Sequence, residues 1–144
     1  MIYCDAAYLG KYYVAERGSA EVRSLIEGDG NVFCCVLGRL EVASIFHRKA
    51  RERSATAAEA TTLFRQFDRD CLQKIWGWLP ITDDVIQAAI REYQALSSRV
   101  FLRASDALHL ACAKDNGFKE IYSNDGRLLA AAPAFGLKGK NIIP

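Results

Sequence analysis

The 144-residue chain lacks three features that would narrow its function at once: an excess of one charge, paired cysteines and a long apolar run. Its 19 Lys and Arg residues nearly balance 17 Asp and Glu residues, so the net charge of +2 does not indicate a nucleic-acid binder. Any basic surface must therefore be local. The five cysteines form no Cys-x-x-Cys pair and lie in apolar runs, which is typical of buried thiols in a reducing cytosol.

Signals for export or membrane insertion are also missing. The longest apolar stretches fall far short of the roughly 20 residues that a membrane span requires. The N-terminus reaches Asp5 after four residues and shows neither the basic region nor the apolar core of a secretory signal. We therefore expect a soluble, cytoplasmic protein with no membrane partner. The chain shows no linker or repeat, and its length suits one domain over residues 1–144.

Short apolar runs alternate with amphipathic segments along the chain. The runs predict strands at 1–4, 32–37, 75–81 and 118–122, with a further edge strand at 140–143. Helices are predicted at 6–15, 19–27, 39–53, 54 or 56 to 72, 82–97, 106–116 and 126–132. Thr82 and Ser105 are predicted to cap two of these helices through their hydroxyl groups. Such alternation predicts an α/β sandwich around a parallel sheet.

Four carboxylates stand where apolar segments begin or end: Asp5, Glu41, Asp106 and Asp125. Asp5 and Asp125 directly follow predicted strands, and ligand sites in parallel sheets lie beyond the carboxyl ends of strands. Glu41 falls in the first turn of the helix after the second strand, so it can reach the same edge. Asp106 follows a helix and a loop, and the pattern alone does not fix its position.

Carboxylates gathered in one place need a positive charge. At about 4 Å and an intermediate dielectric, each like-charge pair costs on the order of 4 kcal/mol, so such acids have raised pKa values or bind a cation. Oxygen ligands without paired Cys or His favour Mg²⁺ or Mn²⁺ over Zn²⁺. The alternative for each acid alone is a solvated charge or a helix cap, and the pattern leaves both interpretations open.

Four motifs surround these acids: MIYCD at 1–5, LEVAS at 40–44, LRASDALHLA at 102–111 and SNDGRL at 123–128. In this order and spacing, across nearly the whole chain, they resemble the acidic motifs of the PIN-domain family, specifically the VapC-type toxin ribonucleases of toxin–antitoxin systems. The resemblance implies a three-layer α/β/α sandwich with a central, mainly parallel sheet. It also implies that Asp106 joins the other three acids.

The activity implied by the resemblance is that of a Mg²⁺-dependent endoribonuclease, the toxin of a toxin–antitoxin pair. A metal-activated water would hydrolyse RNA and leave a 3′-hydroxyl and a 5′-phosphate. Asp5, Asp106 and Asp125 are the expected metal ligands, with Glu41 as a ligand or as the activator of the water. Ser123 is expected to orient a metal-bound water.

The expected partners are RNA, a VapB-like antitoxin and a second copy of the chain. An antitoxin segment or a second copy is expected to cover an apolar set near the N-terminus that exceeds the needs of a small core. This set comprises Tyr8, Leu9, Tyr12, Tyr13 and Val14.

The chain departs from the family pattern at Ala6 and Ala7, where family members usually carry a hydroxyl residue followed by a polar one. The support of Asp5 is therefore expected to be thinner, with lower metal affinity or rate. An alternative function follows: a catalytically weak or inactive PIN-like binding module. A phosphohydrolase with Asp5 as nucleophile is disfavoured, because the haloacid-dehalogenase-like version requires a second Asp at position 7.

Several cations lie close enough to the acidic motifs to bind RNA. Arg103 and Arg127 are each near an expected metal ligand, and we interpret them as phosphate contacts. Arg48 and Lys49, in the cationic helix end, are candidates to follow an RNA backbone, with a solvated helix end as the alternative. His109 shares a helix face with Asp106, and we interpret it as structural.

Overall fold

Five short parallel strands form the centre of the computed structural model, which describes residues 1–144. They are β1 (Ile2–Tyr3), β2 (Val32–Cys35), β3 (Trp76–Leu79), β4 (Glu120–Tyr122) and β5 (Lys138–Lys140). β2 pairs with both β1 and β3, and β4 pairs with β5. A parallel bridge between Cys4 and Tyr122 joins the two ladders, so the strand order is β3-β2-β1-β4-β5.

Helices cover both faces of this sheet. They are α1 (Ala6–Tyr13), α2 (Ser19–Asp29), α3 (Leu37–Arg51), α4 (Ala57–Leu72), α5 (Asp83–Ala95), α6 (Ala104–Asp115) and α7 (Gly126–Ala131), followed by a 3₁₀ turn at Ala132–Phe135. The buried side chains of α1 to α4 form one core, and those of α5 to α7 form another. This confirms the predicted three-layer α/β/α sandwich. None of the helices has the length and hydropathy needed to cross a bilayer.

The chain reverses direction across the sheet at one point, between β1 and β4. From β1 the chain proceeds outward through β2 and β3, and it then returns to place β4 and β5 on the other side of β1. Open parallel sheets bind ligands in the crevice at such a switch point, at the carboxyl ends of the strands. Asp5 and Asp125 follow the two strands that flank it.

Hydroxyl groups cap two helices, at Thr82 as predicted and at Thr56, one of the two predicted starts of the fourth helix. Thr56 accepts a hydrogen bond from the Glu59 amide (3.1 Å) and its own amide donates to the Glu59 carboxylate (2.7 Å), which forms a capping box at the start of α4. Thr82 accepts from the Val85 amide (3.3 Å) at the start of α5. The hydroxyl at each N-cap thus satisfies an amide that the helix leaves free.

Two helix starts beside the acids differ from the prediction. α6 begins at Ala104 with Arg103 as its N-cap, so the predicted cap at Ser105 is wrong and Asp106 lies in the first turn. α3 begins at Leu37, so Glu41 lies in the second turn rather than the first. The reason is that β2 passes into α3 without a loop, and the N-cap residue Val36 already has helical dihedral angles (φ −59°, ψ −25°).

The last strand also differs from its predicted position. β5 covers residues 138–140, whereas the sequence predicts an edge strand at 140–143. The side chain of Asn141 explains the difference. Its Oδ1 accepts hydrogen bonds from the Tyr8 hydroxyl and the Ile143 amide, each at 3.0 Å, and this pairing ends the ladder.

The predicted apolar surface near the N-terminus is wrong for two of its five members. Tyr8 and Leu9 are fully buried in the core beneath α1. Tyr12, Tyr13 and Val14 are only half-buried, because they lie at the end of α1 where the helix leaves the sheet. The exposed set is therefore smaller than the sequence suggests.

Candidate metal centre

All four predicted acids line one cleft at the switch point of the sheet. Asp5, Glu41, Asp106 and Asp125 share a cavity of about 350 Å³. Asp5 caps α1 and accepts from the Tyr8 amide (2.9 Å), and Asp125 caps α7 and accepts from the Arg127 amide (2.8 Å). Strand ends and helix N-termini thus hold the two aspartates in place.

Asp5 is the one acid of the four that forms no ion pair. It is 5% exposed, and its carboxylate accepts hydrogen bonds from the Tyr8 amide and the Ser123 hydroxyl. Burial raises the pKa of Asp5, even though these hydrogen bonds and the nearby His109 oppose the shift. A divalent cation in the cleft would stabilise the charged form of this carboxylate.

Ser123 connects the two aspartates that follow β1 and β4. Its hydroxyl is fully buried, donates to Asp5 Oδ2 and accepts from the Asp125 amide at 2.9 Å. No other side chain donates to Asp5, and both Ala6 and Ala7 line the cleft without offering a polar group. Ser123 therefore supplies a hydroxyl contact that the two alanines cannot.

Arg103 lies between the other two aspartates. Its Nε donates to Asp106 Oδ2 (2.8 Å), and its Nη2 donates to Asp106 Oδ1 (3.2 Å) and to Asp125. Asp106 is buried, whereas half of the Arg103 side chain remains exposed. These carboxylates raise the pKa of Arg103, which stays a cation. The guanidinium thus balances the charge of Asp106 and Asp125.

Glu41 is held by a buried histidine. His109 Nε2 lies 2.6 Å from Glu41 Oε2, and because a carboxylate only accepts, Nε2 is the donor. His109 is 2% exposed, and burial lowers its pKa. The hydrogen bonds to Cys35 and Glu41 outweigh that effect and raise the pKa of His109 to about 10. The only sequence signal at His109 is its position three residues after Asp106, on the same helix face. From that signal we interpret His109 above as structural, without its contact to Glu41.

The predicted RNA-binding cations are distributed unequally. Arg48 and Arg103 line the cleft. Arg127 lies outside its lining and stacks over the ring of Phe101, 4.3 Å from the ring centroid. Lys49 is also outside the lining, and its ammonium group forms an ion pair with Glu16.

The donors of the cleft fit a hard divalent cation. Four carboxylates converge on it, and the one imidazole in its lining already donates Nε2 to Glu41. No three of these carboxylates bring oxygens within 4.8 Å of one another, and Arg103 stands between Asp106 and Asp125. The residues present therefore match Mg²⁺ or Mn²⁺ in chemistry. The Arg103 guanidinium now supplies positive charge beside the carboxylates that would bind such a cation.

Comparison with known proteins gives a family match and three similar folds. The family model of the PIN domain matches residues 2–133. The toxin VapC20 of Mycobacterium tuberculosis, described as cleaving the sarcin-ricin loop, superposes with a TM-score of 0.71 at 16% identity and covers 91% of this chain and 95% of its own. At that identity the likeness shows the fold.

Two further solved structures share the fold. A toxin–antitoxin complex from Klebsiella pneumoniae has a TM-score of 0.64 at 15% identity, over 93% of this chain and 94% of the other. VapBC2 from Rickettsia felis, bound to a DNA fragment from its promoter, has a TM-score of 0.67 at 10% identity, over 98% of both chains. No curated protein sequence matches the chain significantly.

Proposed function

The chain belongs to the PIN domain family, and on that premise we propose that it is a Mg²⁺- or Mn²⁺-dependent endoribonuclease, the toxin of a toxin–antitoxin pair. The observation that carries the proposal is the convergence of four carboxylates on one cleft at the switch point of the sheet. A solvated helix cap would not require this convergence. Asp5 is also buried without an ion pair, which is costly for a carboxylate that has no cation to bind.

Asp5, Asp106 and Asp125 would hold the cation, with Glu41 as a fourth ligand or as a base. Bound there, it supplies Lewis-acid activation of the phosphodiester and of a water molecule. Binding of the cation would require Arg103 to release Asp106 and Asp125, and its guanidinium would then be free to contact the scissile phosphate.

The chain's own residues prepare the attack. Glu41 accepts a proton from the attacking water at Oε1, the oxygen that His109 leaves free. Ser123 holds the carboxylate of Asp5 in one orientation. Arg48, on the wall of the cleft, contacts the RNA backbone. Hydrolysis then leaves a 3′-hydroxyl and a 5′-phosphate.

Partners are proposed from exposed apolar surface and from the similar folds, two of which are toxin–antitoxin assemblies. Tyr13, Val14 and Leu63 line an apolar groove between the end of α1 and α4, and we assign it to a VapB-like antitoxin. Ile86 and Ile90 are exposed on one face of α5, and this face is assigned to a second copy of the chain.

The direct test is cleavage of total RNA by the purified chain, with the fragment ends mapped by sequencing. We expect cleavage with Mg²⁺ or Mn²⁺, none with EDTA, and a loss of about 10²-fold or more in Asp106→Asn. Asp83→Asn, an exposed acid in the first turn of α5, is the matched control and should cleave normally. Cleavage in EDTA, or full activity of Asp106→Asn, would contradict the proposal.

A second candidate function is a PIN-like binding module without effective catalysis. It is favoured by Ala6 and Ala7, which leave Asp5 with one side-chain donor, and by the pairing of Arg103 with two of the acids. This candidate predicts that the wild-type chain binds RNA with unchanged affinity after EDTA treatment and leaves the RNA intact with either cation. If the chain cleaves RNA only when the cation is present, the result supports the nuclease and contradicts the binding module.

A further inference from the structure

Behind the acidic cleft, three soft metal-binding groups meet in the core. Cys34 and Cys35 end β2, and His109 lies on α6 opposite them. The two sulfurs and a ring nitrogen of His109 all lie within 4.8 Å of one another. No other group of three His, Cys, Asp or Glu side chains in the structure reaches this spacing. None of the three has a role as a metal ligand in the proposed nuclease.

The Nε2 side of the imidazole is held as in a metal-bound histidine. Nδ1 lies 3.4 Å from Cys35 Sγ and 3.9 Å from Cys34 Sγ. Cys35 Sγ is also 3.9 Å from Nε2, so sharing a metal with Nδ1 requires the Cys35 side chain to turn towards the Nδ1 edge of the ring. Nε2 donates to Glu41 at 2.6 Å. Histidines that ligate metals almost always donate the other ring N–H to a carboxylate or carbonyl, which fixes the ring and makes the ligating nitrogen more basic.

The distances fit a tetrahedral thiophilic cation. With metal–sulfur and metal–nitrogen bonds of about 2.3 and 2.0 Å, tetrahedral angles separate sulfur from nitrogen by about 3.5 Å. The observed separations of 3.4 and 3.9 Å bracket this value. The Tyr3 hydroxyl lies 3.0 Å from Nδ1 and accepts a hydrogen bond from the Cys35 amide, so its oxygen stands beside the site as a fourth donor atom.

We propose that Cys34, Cys35 and His109 form a second metal site, selective for Zn²⁺ or a similar thiophilic cation and separate from the hard-cation cleft. Two thiolates and a neutral imidazole balance a divalent charge in a buried position, and thiolates select against Mg²⁺. Binding releases the two thiol protons, and any proton on Nδ1, to solvent. His109 also lines the acidic cleft, so the inner site adjoins that cleft.

This site does not depend on the nuclease proposal, but it shares His109 with it. A cation on Nδ1 leaves Nε2–H directed at Glu41, so filling the inner site strengthens the hold on that carboxylate. The inner site is therefore a structural support of the outer one.

The test titrates the reduced, metal-free full chain with Co²⁺, a spectroscopic substitute for Zn²⁺. Excess Mg²⁺ is present so that the acidic cleft is already occupied by a hard cation. We expect one equivalent of Co²⁺ to produce a thiolate-to-metal charge-transfer band with tetrahedral d–d bands, and Zn²⁺ to displace it. The band should be lost in Cys35→Ser and Cys34→Ser. It should persist in Cys112→Ser, which removes a buried thiol outside the cluster.

A second measurement keeps the test decisive if a variant fails to fold. X-ray absorption of the Zn²⁺-loaded wild-type chain should show two sulfur neighbours at about 2.3 Å and one nitrogen or more at about 2.0 Å. No thiolate band in folded wild-type protein, a band that survives loss of both Cys34 and Cys35, or a zinc shell of oxygen alone would overturn the proposal.

Discussion

At the scale of one residue, Asp5 shows how a carboxylate placed for binding lowers the stability of the folded state. The carboxylate is buried, has no ion pair and receives only two hydrogen bonds. Its raised pKa means that the folded state binds a proton more tightly than the unfolded state does. Its favourable contribution to stability is therefore complete below the ordinary Asp pKa of about 3.9 and is lost as pH rises through the folded-state pKa.

Asp5→Asn should therefore stabilise the cation-free protein at neutral pH. Asn keeps the α1 cap and the contact with the Tyr8 amide but removes the buried charge. We expect the melting temperature in EDTA to rise by about 4 °C at pH 7, with the gain shrinking as pH falls towards 4. Mg²⁺ should stabilise the wild type more than this variant. A lower melting temperature for the variant at pH 7 would show that Asp5 is stabilising.

Arg103→Gln should separate cation binding from RNA cleavage. The guanidinium now pairs with Asp106 and Asp125, so it competes with any cation for these oxygens. We expect Mn²⁺ affinity, measured by titration calorimetry, to increase about tenfold, which corresponds to removing a competitor worth roughly 1.4 kcal/mol. RNA cleavage at saturating Mn²⁺ should fall, because the phosphate loses a contact.

Lys49→Gln is the control for this prediction. Lys49 is a cation that pairs with Glu16 outside the cleft, so the variant should keep the wild-type Mn²⁺ affinity. If Arg103→Gln binds Mn²⁺ more weakly than the wild type, the guanidinium supports the cation site rather than competing with it.

At the scale of elements, the sequence predicts where strands and helices lie better than how they join. Apolar runs mark β2 and β4, and hydroxyl caps mark α4 and α5, because these signals are local. The starts of α3 and α6 are missed because neither has a side-chain cap, and tertiary packing fixes them instead. The hydrogen bond between Glu41 and His109 spans 68 residues, so the spacing of His109 from Asp106 does not predict it.

The contact between α3 and β2 depends on one glycine. A Cβ at Gly38 would lie 2.4 Å from Cys34 Sγ, whereas a Cβ at Gly28, in α2, would meet nothing within 4 Å. Gly38→Ala should therefore destabilise the protein by about 1–3 kcal/mol through overpacking. Gly28→Ala should stabilise it by roughly 0.5–1 kcal/mol, because alanine favours helix. Urea unfolding measures both, and equal effects of the two substitutions would contradict this account of the contact.

At the scale of the whole molecule, the order of the strands creates the site. The switch point between β1 and β4 brings Asp5 and Asp125 together although 120 positions separate them in sequence. Alternating strands and helices predict a parallel sheet but not the strand order, because order is set by long-range pairing. For Asp106, the resemblance of its motif supplied the position that periodicity could not.

The balanced charge of the whole chain leads to a prediction about salt. With a net charge of +2, RNA attraction must come from local cations, and Arg48, Arg103 and Arg127 are those nearest the acids. Without a cation Arg103 stays paired with Asp106 and Asp125, so Arg48 and Arg127 provide two phosphate contacts. Two contacts on single-stranded RNA give a slope of log affinity against log salt of about −1.4. Binding is measured by fluorescence anisotropy in EDTA, where the proposed nuclease leaves RNA intact.

Removing Arg48 should make this slope shallower by about 0.7, because each contact releases counterions independently. Arg48→Gln tests a cation of the cleft, and Arg65→Gln tests one on α4, away from the cleft lining. We expect only the first to change both the slope and the affinity. Two results would contradict binding of RNA in the acidic cleft: a salt slope near zero for the wild type, or equal changes of slope in both variants. In either case the RNA phosphates would not contact the cations that line the cleft.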